Sequence, residues 1–257
     1  MSNYIVTGAS GGIGRATVEL LASLGNSVLA VDIVRPSYDL DNVFGFEADV
    51  RDEDHAVRMV ENAILAFHTI DGIHVNAAIL GPEPTPFWEL QAAEIEDVFK
   101  VNVVGSFLAI REGLKYFMRT RRPGSIVVTG SIAGSYGANR LVPYTASKHA
   151  LLGLMRTAAV QGAPYGIRTN AISPSMTLTD MASTISARSG NADNSLALFA
   201  EQVPLGRLAK PSEIANGVEF LLSDRSSYVN GQNLVVDGGL AAENPLRPVR
   251  TKQGGTP

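Results

Sequence analysis

Apolar runs of four or five residues alternate along most of the chain with longer stretches in which apolar positions recur every three or four residues. The runs predict strands at Tyr4–Thr7, Ser27–Val31, Val43–Glu47, Gly72–Asn76, Ser125–Thr129, Arg168–Ile172 and Asn233–Val236. The periodic stretches predict helices over 13–24, 53–68, 92–118, 144–163 and 211–223. Gly25-Asn26 reads as a helix stop before the second strand, Pro123-Gly124 as a break before the fifth, and Pro211 as a first helical position. This alternation predicts an α/β fold: a doubly wound, mostly parallel sheet of seven strands with helices on both faces, in one domain over 1–257.

Two segments stand outside the pattern. About 180–203 is rich in Ser, Ala and Asn and predicts a loop or small helical insert that borders the substrate site. The tail, about 241–257, with prolines, basic residues and Gly254-Gly255, reads as flexible.

Composition removes several classes of function. Hydrophobic residues make up 45% and charged residues 18%, which suits a large core. A net charge of −4 offers nothing to nucleic acid or an anionic membrane surface. With no cysteine there is neither a disulfide nor a thiolate site, and the four histidines lack ligand spacing, so no metal is expected. A first strand starting by Tyr4 leaves no room for a secretory leader, and no run of 18 apolar residues marks a membrane span. The expected location is the cytoplasm.

The first candidate chemistry follows the first strand. Thr7-Gly8-Ala9-Ser10-Gly11-Gly12-Ile13-Gly14 lies between an apolar strand and a helix. A pyrophosphate needs backbone N–H donors at close range and a helix N-terminus facing it, and Gly8, Gly12 and Gly14 allow the turn, the approach and the packing. An acid is expected at the end of the second strand to accept from the ribose hydroxyls of adenosine, and Asp32 stands there. Its charge repels the 2′-phosphate of NADP, so NAD is the expected cofactor; Arg35 is the residue that would favour NADP.

The second is Tyr144-Thr145-Ala146-Ser147-Lys148, with Ser131 and Asn102 upstream. Hydride transfer to a carbonyl leaves an alkoxide that needs a proton. A tyrosine serves near neutral pH if its pKa falls from about 10, a shift worth roughly 4 kcal/mol. Four positions apart on a helix, Tyr144 and Lys148 share a face, and a charge about 5 Å away contributes about 3 kcal/mol at an effective dielectric of 20.

These segments, with Asn76-Ala77-Ala78 and the closing Val236-Asp237-Gly238-Gly239, occur in an order that resembles the short-chain dehydrogenase/reductase family in its roughly 250-residue form. The resemblance implies a Rossmann-type fold and a catalytic set. In it Tyr144 is the acid and base, and Lys148 lowers its pKa and holds the nicotinamide ribose. Ser131 bonds the substrate oxygen, and Asn102 anchors a water behind Lys148. It implies a cofactor site of Gly8, Ser10, Gly11, Gly12, Ile13, Gly14, Asp32, Ile33, Asp49, Val50, Asn76, Ala77, Ala78, Tyr144, Lys148, Pro174, Ser175, Thr177 and Thr179. Asp49 is placed near the adenine amino group, and Asn76 reads as a residue that stabilises the sheet. Ile79 and Ser175 stand where the family more often has glycine, and Thr177 where it has a branched apolar residue.

The walls expected around the substrate are Ile79-Leu80-Gly81, Ala133 to Tyr136, Leu141 to Pro143 and the insert. They carry no cationic clamp except Arg140, so a neutral, fairly apolar secondary alcohol or ketone is expected. The outer faces of 92–118 and 144–163 are rich in Ala, Leu and Val and predict a homo-oligomer; the resemblance implies a tetramer. Three other functions compete. An acyl-carrier-linked 3-oxoacyl reductase using NADP is disfavoured by Asp32 and the net charge, and a non-catalytic dinucleotide sensor by the full catalytic set. Reduction of a carbon–carbon double bond is disfavoured by the short Tyr–Lys spacing.

Overall fold

Aliphatic and β-branched residues fill the short runs because a parallel strand covered by helices is buried on both faces. The computed structural model describes residues 1–188 and 192–242. Its strands are β1 (Asn3–Thr7), β2 (Ser27–Asp32), β3 (Val43–Glu47), β4 (Gly72–Val75), β5 (Gly124–Thr129), β6 (Ile167–Pro174) and β7 (Asn233–Val236). They form one seven-stranded sheet in the order β3-β2-β1-β4-β5-β6-β7, with every pairing parallel. The helices are α1 (Gly12–Ser23), α2 (Glu53–Phe67), α3 (Ala92–Phe99), α4 (Ser106–Thr120), α5 (Val142–Gly162), α6 (Asp180–Arg188), α7 (Ala192–Gln202) and α8 (Pro211–Leu222).

Alternation along the strands builds a core on each side. Ile5, Ile73, Ile126 and Val128 face α2, α4 and α5, meeting Met59, Phe117, Leu151 and Met155. Tyr4, Val6 and Val127 face α1 and α8, meeting Val18, Leu21, Ile214 and Val218. The seven-stranded parallel sheet and the helical layers on its two faces match the expected fold.

Three expectations change in detail. The helix foreseen over 92–118 is α3 and α4 joined by a π-helical turn, Lys100–Gly105. The polar insert holds two helices, α6 and α7. The tail is described only as far as a short 3₁₀ turn, Leu240–Ala242; the rest, 243–257, lies outside the described residues. Among the described residues no helix is long and apolar enough to cross a membrane, and no cluster of three metal-ligating side chains occurs.

Candidate active site

Gly8 turns the chain out of β1 with φ +65°, and a Cβ there would stand 2.8 Å from Ala77 Cα. A Cβ on Gly14 would stand 2.0 Å from the Gly8 carbonyl oxygen, so only glycine lets α1 sit on its own loop. The N-cap of α1, Gly11, is extended and supplies no side-chain acceptor, which leaves the amides of the first turn facing outwards. A cradle that any side chain would fill, lined by helix-end donors, fits a pyrophosphate.

Asp32 closes this loop from β2. One carboxylate oxygen accepts from the amide of Ser10 at 2.8 Å and the other from Ile33 at 2.7 Å. Tyr38, a residue the sequence did not single out, donates its hydroxyl to the Ala9 carbonyl. Burial pushes its phenol up to about 12, and the Arg15 guanidinium lies 4.8 Å from its ring centre.

Asp49 stands just beyond β3. Its carboxylate is held in a fork by Arg51, with contacts of 2.6 to 3.0 Å, and this ion pair keeps it below the usual carboxylate range. The oxygens foreseen beside adenine are engaged by a neighbour. Val50 packs over Gly105, where a Cβ would lie 2.8 Å from its Cγ2.

Asn76 does tie the sheet together. Its amide nitrogen donates to the carbonyls of Thr7 and Gly8, each at 3.1 Å, and its backbone N–H donates to Thr7 Oγ1 at 2.9 Å. Ala77 N–H also reaches Thr7 Oγ1, at 3.2 Å. With both amide hydrogens so placed, Asn76 Oδ1 accepts from the Thr129 hydroxyl at 3.0 Å, and Thr129 Oγ1 must accept from His74 Nε2 at 2.8 Å. The direction of each bond is thereby fixed. His74 carries its proton on Nε2, and its buried Nδ1 has no partner.

The four expected catalytic residues converge where β5 ends. Ser131 is buried; its Oγ accepts from the Ala133 amide at 3.1 Å, and its side chain lies beside the Tyr144 phenol and draws its pKa down. Lys148 is buried, donates to the Thr129 carbonyl at 2.7 Å and lies 5.5 Å from the Tyr144 ring centre. Asn102 sits in the π-helical turn. It grips the backbone of Ile79 from both sides, accepting from N–H at 2.8 Å and donating to C=O at 2.9 Å. It also donates to Ser147 Oγ at 3.0 Å, and that hydroxyl donates to the Tyr144 carbonyl at 2.7 Å.

Burial dominates the electrostatics of the pair. Burial pushes the Tyr144 phenol up to about 12, and the neighbouring Ser131 side chain draws it back in part. Burial pushes Lys148 down to about 8.

Beyond β6, Ser175 follows Pro174 with its amide on the Val236 carbonyl at 3.3 Å and its φ outside the left-handed region, so the serine strains nothing. Thr177 bridges to Ala209 and bonds the Ser175 carbonyl at 3.1 Å. Thr179 caps α6, accepting from Ala182 N–H at 3.3 Å, and its methyl group lies 3.0 Å from where a Cβ on Gly12 would stand. The segment after β6 therefore touches the glycine loop.

A cavity of about 520 Å³ opens between α6, α3 and the loop after β4, lined by Ile79, Leu80, Val98 and Met181 together with Glu94, Asp97 and Arg188. Arg188 is a cation the sequence reading missed, because its partners are chiefly backbone carbonyls. Nη1 donates to Gly81 and Pro82, each at 3.0 Å, and Nε pairs with Glu83 at 3.0 Å. Arg140, the clamp considered from sequence, is exposed.

A family model described as enoyl-(acyl carrier protein) reductase matches residues 8–241. The chain belongs to the short-chain dehydrogenase/reductase family. It is 35% identical, over 93% of its length and 96% of the relative's, to a cis-4-hydroxycyclohexanecarboxylate dehydrogenase from Sinomonas cyclohexanicum. It is equally similar, over the same shares, to a 2,5-dichloro-2,5-cyclohexadiene-1,4-diol dehydrogenase from Sphingobium indicum. The crystal structure of a levodione reductase superposes with a TM-score of 0.89 at 33% identity, covering 95% of this chain and 98% of that one. The chain is thus a dehydrogenase or reductase acting on an alcohol or ketone, in a family that binds NAD or NADP.

Proposed function

We propose that this enzyme interconverts a neutral alicyclic secondary alcohol and its ketone with NAD(H), using Tyr144, Lys148, Ser131 and Asn102. The observation that carries this reading is the Lys148 ammonium over the Tyr144 ring, 5.5 Å from its centre, with the Ser131 side chain beside the phenol. The bound nicotinamide supplies or accepts the hydride. The protein supplies the rest. Tyr144, held protonated, gives its proton to the carbonyl oxygen during reduction, and Ser131 hydrogen-bonds the same oxygen as charge develops on it. Lys148 holds the ribose hydroxyls and keeps a positive charge beside the donor. Asn102 acts as a positioning residue, fixing Ile79 and, through Ser147, the start of α5.

The glycine cradle, with Asp32, Ile33, Val50 and Ala78 around it, takes the adenosine and pyrophosphate, and Pro174 to Thr179 take the nicotinamide end. Asp32 supports NAD over NADP, since a carboxylate already fixed by two amides cannot turn away from a 2′-phosphate. The ring-shaped substrates named for two relatives support an alicyclic substrate. The lining supports a neutral one: Glu94 and Asp97 face the cavity, and Arg188 is engaged by the loop after β4. A carboxylate like that of the Sinomonas relative's substrate would meet an acidic wall. Exposed Val104, Phe107 and Met118 along α4 and the turn before it support assembly into a homotetramer.

The test is a titration with NADH and NADPH, then turnover on cyclohexanol, cyclohexanone and cyclohexanediols beside carboxylated analogues. NADH preference with turnover on the neutral rings is the expected result. NADPH preference with turnover only on carrier-linked 3-oxoacyl chains would replace this reading, and binding without turnover on any of them would leave a dinucleotide sensor.

A further inference from the structure

Helix α6 lies across the cleft as a bar held at both ends. At its start, Thr179 packs on Gly12 of the loop after β1. At its end, Arg188 grips the loop after β4 through the carbonyls of Gly81 and Pro82 and the carboxylate of Glu83. β1 and β4 are neighbours at the point where the strand order reverses, since β2 and β3 lie on one side and β5 to β7 on the other. Ligands of such sheets bind in the crevice at that reversal, beyond the strand ends. Met181, Thr184 and Arg188 of α6 form one wall of the cavity beside it.

The two ends are anchored differently. The Thr179 end continues from β6 and is fixed by pairing with a second segment, through the Thr177–Ala209 bridge and the bond from Leu178 N–H to the Ala209 carbonyl at 2.9 Å. Among the described residues, the far end meets the β4 loop through side-chain contacts from Arg188, while the Ser186 and Ser195 hydroxyls tie it to α7, which moves with it. These contacts are reversible, because Arg188 is 21% and Glu83 73% exposed, so water is at hand to replace each bond. A guanidinium is well shaped for such a grip, since its planar fork reaches two carbonyls and a carboxylate together, which an ammonium on a flexible stem does poorly.

We infer that Arg188 is a latch. While it grips the Gly81–Glu83 loop, α6 blocks the exit of a bound dinucleotide; when it lets go, α6 swings about the Thr177–Thr179 end and the cofactor leaves. This rests on the reading of the cleft as a dinucleotide site, and it makes Arg188 a positioning residue that sets the rate of cofactor exchange.

The experiment measures NADH release from the full chain by stopped-flow displacement, together with amide hydrogen exchange of the unliganded protein. Arg188→Ala should release NADH about tenfold faster, in line with the loss of charge-assisted bonds. Arg188→Lys should fall between parent and alanine, and Glu83→Gln, which removes only an exposed ion pair, should change release by no more than about twofold. In the unliganded Arg188→Ala protein, exchange should quicken across Asp180–Arg188 and stay unchanged in the central strands. Equal release rates, or equal exchange in α6, overturn the latch. Failure of the parent chain to bind NADH would sink the reading of the cleft alone, and hydrogen exchange would still decide whether Arg188 holds α6.

Discussion

Lys148 gives its hydrogen bond to the Thr129 carbonyl at 2.7 Å while its charge lies 5.5 Å from the centre of the Tyr144 ring. The two groups are protonated together at neutral pH, one because burial disfavours its anion and the other despite burial. A site in this state is poised to give a proton, which is the requirement of ketone reduction.

Tyr144→Phe should therefore lower ketone turnover by about 10²- to 10⁴-fold, the range for loss of a general acid, while NADH still binds. Steady-state rates beside a binding titration check this. A variant retaining a tenth of the parental turnover would move the acid to another group.

The pH profile has a definite sign. Burial lets the Lys148 proton leave near pH 8, so kcat/KM for reduction should fall as pH rises through about 8. Lys148→Arg keeps its charge throughout and should remove that fall, whatever its overall rate. An unchanged descending limb in the arginine variant would assign it elsewhere.

Asp32→Ala removes the fixed charge at the end of β2, and the Kd ratio of NADPH to NADH should narrow by at least roughly tenfold. The loop amide of Ser10 loses its acceptor in the same variant, so NADH itself should bind more weakly. If the ratio holds, Arg35 is the next residue to change.

Two neighbouring glycines should behave oppositely. Gly14→Ala places a methyl group 2.0 Å from the Gly8 oxygen and should abolish NADH binding, with a stability loss of about 1–3 kcal/mol in denaturant titration. Gly11→Ala meets nothing within 4 Å and should stay within about 1 kcal/mol of the parent.

The strands were legible because burial on both faces writes continuous apolar runs, and the glycine loop because close backbone approach admits no other residue. The spacing of Tyr144 and Lys148 gave their shared position, but not the direction of the pKa shifts, which depends on burial. The π-helical turn around Asn102 left no trace, since apolar spacing runs through it without a break. Asp49 was placed by resemblance, which says nothing of Arg51 two positions on. Arg188 stayed hidden for a simpler reason: a backbone carbonyl 106 or 107 positions away has no signature in the sequence.

The one-way chain from His74 to Thr129 to Asn76 also fixes how the molecule meets acid. A second proton on His74 would turn its bare Nδ1 into a buried donor with nothing to receive it, and burial holds the imidazole down to about 3. The folded pKa lies below the ordinary value, so this residue's share of stability is complete above about pH 6.5 and drains away as pH falls towards 3. Acid thus acts on β4, in the interior of the sheet, at the strand that meets both the glycine loop and the Lys148 anchor. Souring the solution should loosen the catalytic floor together with the fold, with no separate inactive but intact state in between.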